Sequence, residues 1–551
     1  MKNIYIVLAI IAMFFTSCED YLDKKPLDNP SGENFLQNEY ELEMAVAGCY
    51  NSLWKGGLPY MIPLDALSDI GWSRDGDAIQ WAGKGLTNSD NSYTAGHWSN
   101  FYRGIGRCNY ILAKAPELSS KVSADKYNRL IAEVRFLRAY YYSLINELFG
   151  GVPLVTKPVE LSESQIPRST KDQVTDFILS ELDEAAKYLL ITAGGEDKGK
   201  ATKGTALALK SRIALYNGRW SDAAQAAKDV MDMNLYSLYN NYGDLFFYKG
   251  QNASEIIFTV QYKKGIMTMG IPQAFYSRMA KGYSNKVPVQ SLIDSYECID
   301  GLPIDKSPLF DPTKSFDKRD PRLNFTVVLP QTLFINIIYE SNKDSLKTWD
   351  YSTNPPKRVG NTDATNAYAS FSGYLWRKYA DIADKDDRSN CEIDFILFRY
   401  AEVLLNYAEA QIEANQIDQS VYDAINAVRT RPSVNMPPIA LGKTQSELRS
   451  IIRKERKYEL SCEGLRLFDI RRWNIADKVM AGDLLGRIPK GYLSNAPAID
   501  ENGTPDYSSV ANKSMMRVIE VRLFDKTKDY LWPIPRIETE VNKALVQNPG
   551  Y

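Results

Sequence analysis

Between residues 124 and 149, apolar side chains return every three or four positions: Tyr127, Leu130, Ile131, Val134, Leu137, Tyr141, Leu144, Ile145 and Leu148. This spacing places them on one stripe of an α-helix and predicts a helix over the whole span, buried along that stripe. Ser123 stands where a capping residue belongs, Gly150 and Gly151 stop the pattern, and Pro153 lies just beyond. Trp98, Tyr102, Ile105, Asn109 and Leu112 repeat the spacing upstream and predict a second helix packed beside the first. Two helix pairs follow, 205–217 with 221–233 across the short Gly218-Arg219-Trp220 turn, and 399–414 with 419–429. Both pairs are rich in alanine, which lets backbones approach closely. A further helix starts at Thr444, which with Glu447 has the spacing of a capping box, and runs past Leu460. Helix pairs with small residues at the crossing and a bulky aromatic near the turn have the texture of degenerate tetratricopeptide repeats. Their period is too irregular to establish such repeats alone.

From about residue 255 to 376 the texture changes. The runs 256–260 and 325–329 look like strands, separated by Gly, Pro, Asn, Ser and Lys. The chain is therefore expected to be mostly α: a helical frame at about 35–250 and 390–475, carrying loop-rich and short β excursions at about 255–380 and 480–530. Long irregular segments of this kind serve a function or stay unordered.

The first residues follow a different plan. Lys2 precedes an apolar run from Ile4 to Phe15, broken only by its tyrosine, and Thr16 and Ser17 lead into Cys18. That order predicts a signal peptide over 1–17, its apolar run too short to span a bilayer. A cysteine at the cleavage point resembles a bacterial lipobox, with Phe15 where leucine is usual, so lipidation is expected at Cys18 and the mature chain at 18–551. An ordinary signal peptide with an incidental cysteine is the competing reading. Each buried acyl CH₂ strengthens anchoring by about 0.8 kcal/mol, so several chains hold a protein on a membrane almost permanently.

Composition removes several function classes. With 66 basic and 68 acidic residues the net charge is −2, which leaves no basic surface for nucleic acid. The single histidine, His97, excludes His-rich zinc sites, and its place beside Trp98 at a helix start suits packing or capping. Cys49, Cys108, Cys298, Cys391 and Cys462 are odd in number and scattered, so no disulfide framework or metal spacing emerges, although one pair is compatible with them. No cofactor is expected. Carboxylates are abundant enough for a glycosidase pair, but separation in space decides that.

Four segments, in order, carry a resemblance. They are Phe136-Leu137-Arg138-Ala139-Tyr140-Tyr141-Tyr142 running into Phe149-Gly150-Gly151-Val152-Pro153-Leu154; Arg399-Tyr400-Ala401-Glu402-Val403-Leu404-Leu405 with Ala408-Glu409-Ala410; Glu455-Arg456-Lys457-Tyr458-Glu459-Leu460 with Glu463-Gly464-Leu465-Arg466 and Asp469; and Trp532-Pro533-Ile534-Pro535 with Gln547-Asn548-Pro549-Gly550-Tyr551. Behind a lipobox, this set resembles the SusD/RagB family of Bacteroidetes outer-membrane lipoproteins, over nearly the whole mature chain. The resemblance implies about four tetratricopeptide-like helix pairs. It also implies a lipid-anchored protein facing the extracellular side of the outer membrane, without enzymatic activity. Such a protein would bind oligosaccharides, in some cases peptides, and pass them to a SusC-type TonB-dependent transporter. A helical-repeat adaptor for peptide or protein ligands and a surface glycoside hydrolase are the alternatives. The charged stretch 453–472 reads as an ion-pair network locking helices or as a solvated face, and 533–551 is expected to lie across the frame.

A sugar needs flat aromatic faces against its C–H side and polar groups around its hydroxyls, and Tyr and Trp supply both. The first candidate loop, 65–94, holds Trp72 and Trp81 among Arg74, Asp75, Asp77 and Gln80; each tryptophan is open to ligand contact or to packing. The second, 343–366, holds Trp349 and Tyr351; the third, 267–285, holds Tyr276 and Tyr283, where strand packing is the rival explanation. Glycan-contact candidates are thus Trp72, Trp81, Trp349, Tyr351 and Tyr283, whereas Trp98, Trp220, Trp376, Trp473 and Trp532 belong to structural segments.

Overall fold

The computed structural model describes residues 35–55 and 61–551, so the signal peptide and Cys18 lie outside the described residues. Eight helices build the frame: α1 (Glu39–Lys55), α2 (Ser92–Lys114), α3 (Ala124–Phe149), α4 (Lys171–Tyr188), α5 (Lys203–Tyr216), α6 (Trp220–Asp232), α7 (Tyr400–Glu413) and α8 (Gln419–Arg429). They pack as four successive pairs, α1 on α2, α3 on α4, α5 on α6 and α7 on α8, and each pair touches the next through α2 and α3, α4 and α5, and α6 and α7. The tetratricopeptide-like expectation therefore holds. A ninth helix, α9 (Gln445–Leu460), packs against α7.

Helix α3 occupies the predicted span, and Gly150 ends it with a left-handed φ of 77°. Ser123 differs from expectation: it makes no side-chain cap, and the first turn is closed by the Tyr127 N–H donating to Ser123 O. Thr444 does form its capping box, with Glu447 N–H donating to Oγ1 at 3.3 Å and Thr444 N–H donating to the Glu447 carboxylate at 2.8 Å. The first two pairs join where α2 crosses α3. A Cβ at Gly104 would sit 2.7 Å from the Tyr141 ring, so only glycine permits the approach. The Tyr141 hydroxyl then reaches α1, donating to Cys49 O at 2.8 Å. Apart from the half-buried Tyr127 and Ile131, the apolar stripe of α3 is buried, each large side chain stabilising by about 1.5–3 kcal/mol. The five described cysteines are buried free thiols.

The charged stretch in α9 resolves as a buried ion network. Glu459 receives Arg399 at 2.7 Å, Arg431 at 2.9 Å and Arg322 at 3.3 Å. Glu455 pairs with Arg322 at 2.9 Å and with Arg429, and Glu463 takes Arg399 and Lys378, each at 2.7 Å. The strand Ile256–Val260 runs antiparallel to a strand at Phe395–Arg399, which delivers Glu255 and Arg399 to the same point, 2.9 Å apart. Glu455 and Glu459 on the last turns of α9, with Glu463 just beyond its end, thus fasten segments far apart in the chain.

The excursions are more ordered than the sequence suggests. Of the expected strand at 325–329, Phe325 falls in a helical turn (Arg322–Thr326) and only Val327–Val328 is extended, paired with Leu375–Trp376. Beyond it, four antiparallel strands form a sheet: Thr332–Phe334, Ile337–Tyr339, Lys347–Asp350 and Lys357–Gly360. The second candidate loop is therefore largely a hairpin, in which Lys347–Asp350 pairs with Lys357–Gly360 across a six-residue connection. The C-terminal segment does cross the frame: Trp532 N–H donates to Leu148 O at 2.8 Å, and Asn548 Nδ2 donates to Phe149 O at 2.8 Å.

Burial alone would raise the Glu459 carboxyl, but Arg431, Arg399 and Arg322 overcome it and hold the pKa at about 2. Its folded pKa lies below the unfolded value, so its contribution is complete above about pH 4.5 and is lost as pH falls towards 2. Glu459→Gln should lower stability by about 3–5 kcal/mol at neutral pH, because it leaves buried guanidinium groups uncompensated. It should also flatten the acid limb of a stability–pH curve measured by chemical denaturation.

Candidate ligand-binding surface

The first candidate loop begins with the strand Gly71–Ser73, antiparallel to Lys286–Pro288, and Arg74 N–H extends the ladder by donating to Asn285 O at 2.8 Å. A Cβ at Gly71 would lie 2.7 Å from Asp65 O, which explains the glycine. From this rigid base the Arg74 side chain gathers two other segments, Nη1 donating to Tyr368 O at 2.7 Å and Nη2 to Tyr283 O at 3.0 Å. Its guanidinium carbon lies 5.3 Å from the Tyr368 ring centroid, and Arg278 approaches the same ring at 5.8 Å. Arg278 also donates from Nε to Tyr368 O at 3.0 Å, so Tyr368 is held by two cations. Asp75 accepts from Asn285 Nδ2 and stands 3.6 Å from Arg74. Burial lowers the Arg74 pKa and Asp75 opposes this.

Three aromatic rings stay open around this anchor: Trp81 is 50% exposed, Tyr283 48% and Tyr368 62%. Trp81 sits on the short helix Ala78–Gly83, capped by Asp77, and its Nε1 donates at 3.2 Å to Gly76 O, in the turn directly after Arg74. Across Tyr283 and Asn285 the surface continues into a groove of about 480 Å³, walled by Pro63, Ile79, Ile271 and Ala274. Rigid apolar faces beside fixed polar groups suit a polyhydroxylated ring.

Of the sequence candidates, Trp81 and Tyr283 meet at this surface. Trp72 does not, and this is a correction. It is 2% exposed, its Nε1 donates to Glu520 at 2.8 Å, and its ring stacks on Phe371 at 5.4 Å. Its strand pairing holds it beneath Arg74, with both side chains against Phe371, so the indole is covered and not presented to ligand. Tyr276 is also buried, its hydroxyl donating to Asp381 O. Trp349 and Tyr351 are half exposed but stand on the four-stranded sheet, where Arg358 covers the Trp349 ring at 5.3 Å and Tyr351 N–H donates to Asn336 O. Tyr368 escaped the sequence reading because it follows the second candidate loop; its only signal was an aromatic in a Ser- and Asn-rich run. His97 packs as expected: its Nδ1 lies 2.8 Å from Tyr93 O, and burial lowers its pKa to about 4.

Comparison with known proteins is decisive for the fold. The family model described as "SusD family" matches residues 254–551, and one described as "Starch-binding associating with outer membrane" matches 20–215. This chain belongs to the SusD family. A SusD-like protein of Formosa agariphila is 25% identical over 509 residues, covering 86% of this chain and 90% of its own. The crystal structure of a SusD-like carbohydrate binding protein from Bacteroides fragilis has a TM-score of 0.79 at 29% identity, covering 92% of this chain and 99% of that one. Surface glycan-binding protein A from Bacteroides fluxus shares the fold, with a TM-score of 0.68 at 21% identity over 93% of this chain and all (100%) of its own.

In this member of the SusD family the two loop tryptophans should respond oppositely to truncation. Trp72→Ala should cost about 3–5 kcal/mol and lower the melting temperature by several degrees, because it empties a packed site and removes one of the donors to Glu520. Trp81→Ala should change stability by about 0.5 kcal/mol or less. Thermal melts of the two variants beside the wild type check this.

Proposed function

We propose that this chain is a lipid-anchored glycan-binding protein of the outer membrane. It holds oligosaccharides on the Trp81, Tyr283 and Tyr368 surface and delivers them to a SusC-type TonB-dependent transporter. The observation that carries the binding reading is that Arg74 fixes the Tyr368 and Tyr283 carbonyls and packs on the Tyr368 ring, while Trp81 is tied to the adjoining turn at Gly76, so that three exposed aromatics stand on held backbone. Membership of the SusD family, and a similar structure that is described as carbohydrate binding, support the ligand class. Outer-membrane association is in the description of the model matching 20–215. Lipid anchoring rests on Cys18 behind its apolar run.

The surface is arranged for contact rather than reaction, since Arg74 and Arg278 are spent on fixing carbonyls and ring faces. The purified protein should therefore bind glycans without releasing reducing ends. A glycan-array or affinity-gel screen of the chain without its first eighteen residues identifies the ligand class. On the glycan found, Trp81→Ala or Tyr368→Ala should weaken binding about tenfold to a hundredfold, the loss of one stacking face, at an unchanged melting temperature. Unchanged affinity in both variants would place the site elsewhere. For the anchor, Cys18→Ala should abolish labelling by palmitate and release the protein from the membrane fraction; labelling at the wild-type level would refute lipidation.

A further inference from the structure

Among the described residues, Arg517 stands beside the platform with no carboxylate paired to it. Its backbone is pinned by Gly486 N–H donating to Arg517 O at 2.8 Å, just before the strand Val518–Arg522. Its guanidinium lies 4.0 Å from the Phe371 ring centroid, and the other face of the cluster is built from Trp72 and Arg74, at 5.4 Å each from the same ring. Arg517 forms no side-chain hydrogen bond or ion pair among the described residues, although it is only partly buried and so can be reached. The charged groups that face it are Arg74 and Lys343, both cations. Arg74 in turn faces Arg278. Among the described residues, two carboxylates face these four cations. Asp75 sits beside Arg74, and Asp363 is buried beneath Arg278, accepting its backbone N–H at 2.6 Å.

Like charges held together at a surface cost stability unless something neutralises them, and a guanidinium stacked on a ring and free at its edge is pre-organised to take a planar or tetrahedral anion in two hydrogen bonds. Tyr368, whose carbonyl Arg74 and Arg278 both hold, places an open sugar-stacking face beside this charge. We propose that the ligand is an acidic oligosaccharide whose carboxylate or sulfate ester is received by Arg517 while its ring lies on the Tyr368 platform. The inference rests on the glycan-binding reading above and narrows it to anionic sugars.

The test uses the full-length protein in detergent and oligosaccharides in matched pairs: tetragalacturonate against its methyl ester, and a sulfated galactan tetrasaccharide against its desulfated form. At low salt at least one acidic member should bind about tenfold or more tightly than its uncharged partner, and added salt should erode the advantage. The pair that responds tells carboxylate from sulfate. Arg517→Gln should abolish the preference and leave binding of the uncharged member unchanged. Because that variant relieves a repulsion while giving up the contact with the Phe371 ring, its melting temperature without ligand should stay close to that of the wild type. Arg517→Lys should keep part of the preference. Equal affinity within both pairs, or a preference that survives Arg517→Gln, overturns the inference and leaves glycan binding standing. If no member of either pair binds, the inference fails, and binding of neutral glycans on the array shows whether the broader reading survives.

Discussion

Glu459 is the residue on which the architecture turns. A carboxylate this deeply buried persists only where its desolvation is offset by charge, and here Arg399, Arg431 and Arg322 converge on it. Each cation comes from a different stretch: the strand that leads into α7, the segment after α8, and the turn inside the large excursion. The geometry closes only when the last helix pair, α9 and the excursion are all in place. A network of that kind adds little to net stability over a well-packed apolar core, but it penalises any arrangement that leaves one member unpaired. We read it as the device that fixes how the excursions sit on the repeats.

The binding surface inherits its rigidity from the same principle. Asp69, just before the strand that leads to Arg74, pairs with Arg466 at 2.8 Å in the segment following α9. Burial raises the Asp69 carboxyl, yet Arg466 brings its pKa below the ordinary value. Arg522 donates to Ser68 O at 2.6 Å and to Gly71 O at 3.0 Å, holding the loop from beneath, while Trp72 plugs the space under Arg74. Arg74 can then fasten Tyr283 and Tyr368 at its outer end. The aromatic faces of this surface stand on loops, which the helical repeats support.

What the sequence determined by itself was the frame. The stripe of α3, the Thr444 capping box and the glycine stop at Gly150 are local consequences of the 3.6-residue repeat and of left-handed backbone, so each is legible within one turn of helix. The dense charges of α9 left two readings open, because a buried network and a solvated face have the same composition. Burial separates them, and burial belongs to the whole chain. Trp72 and Trp81 show the same limit at a smaller scale. They stand nine residues apart in one loop with similar neighbours. Pairing with Lys286–Pro288 turns the first into the core, whereas the short capped helix leaves the second at the surface. Tyr368 joined the site through Arg74, a contact across almost three hundred residues that no local pattern encodes. Periodicity and capping fix elements because their physics is local. Which side chains meet at the surface was decided only by tertiary structure, since strand pairing and ion-pair closure set direction and burial together.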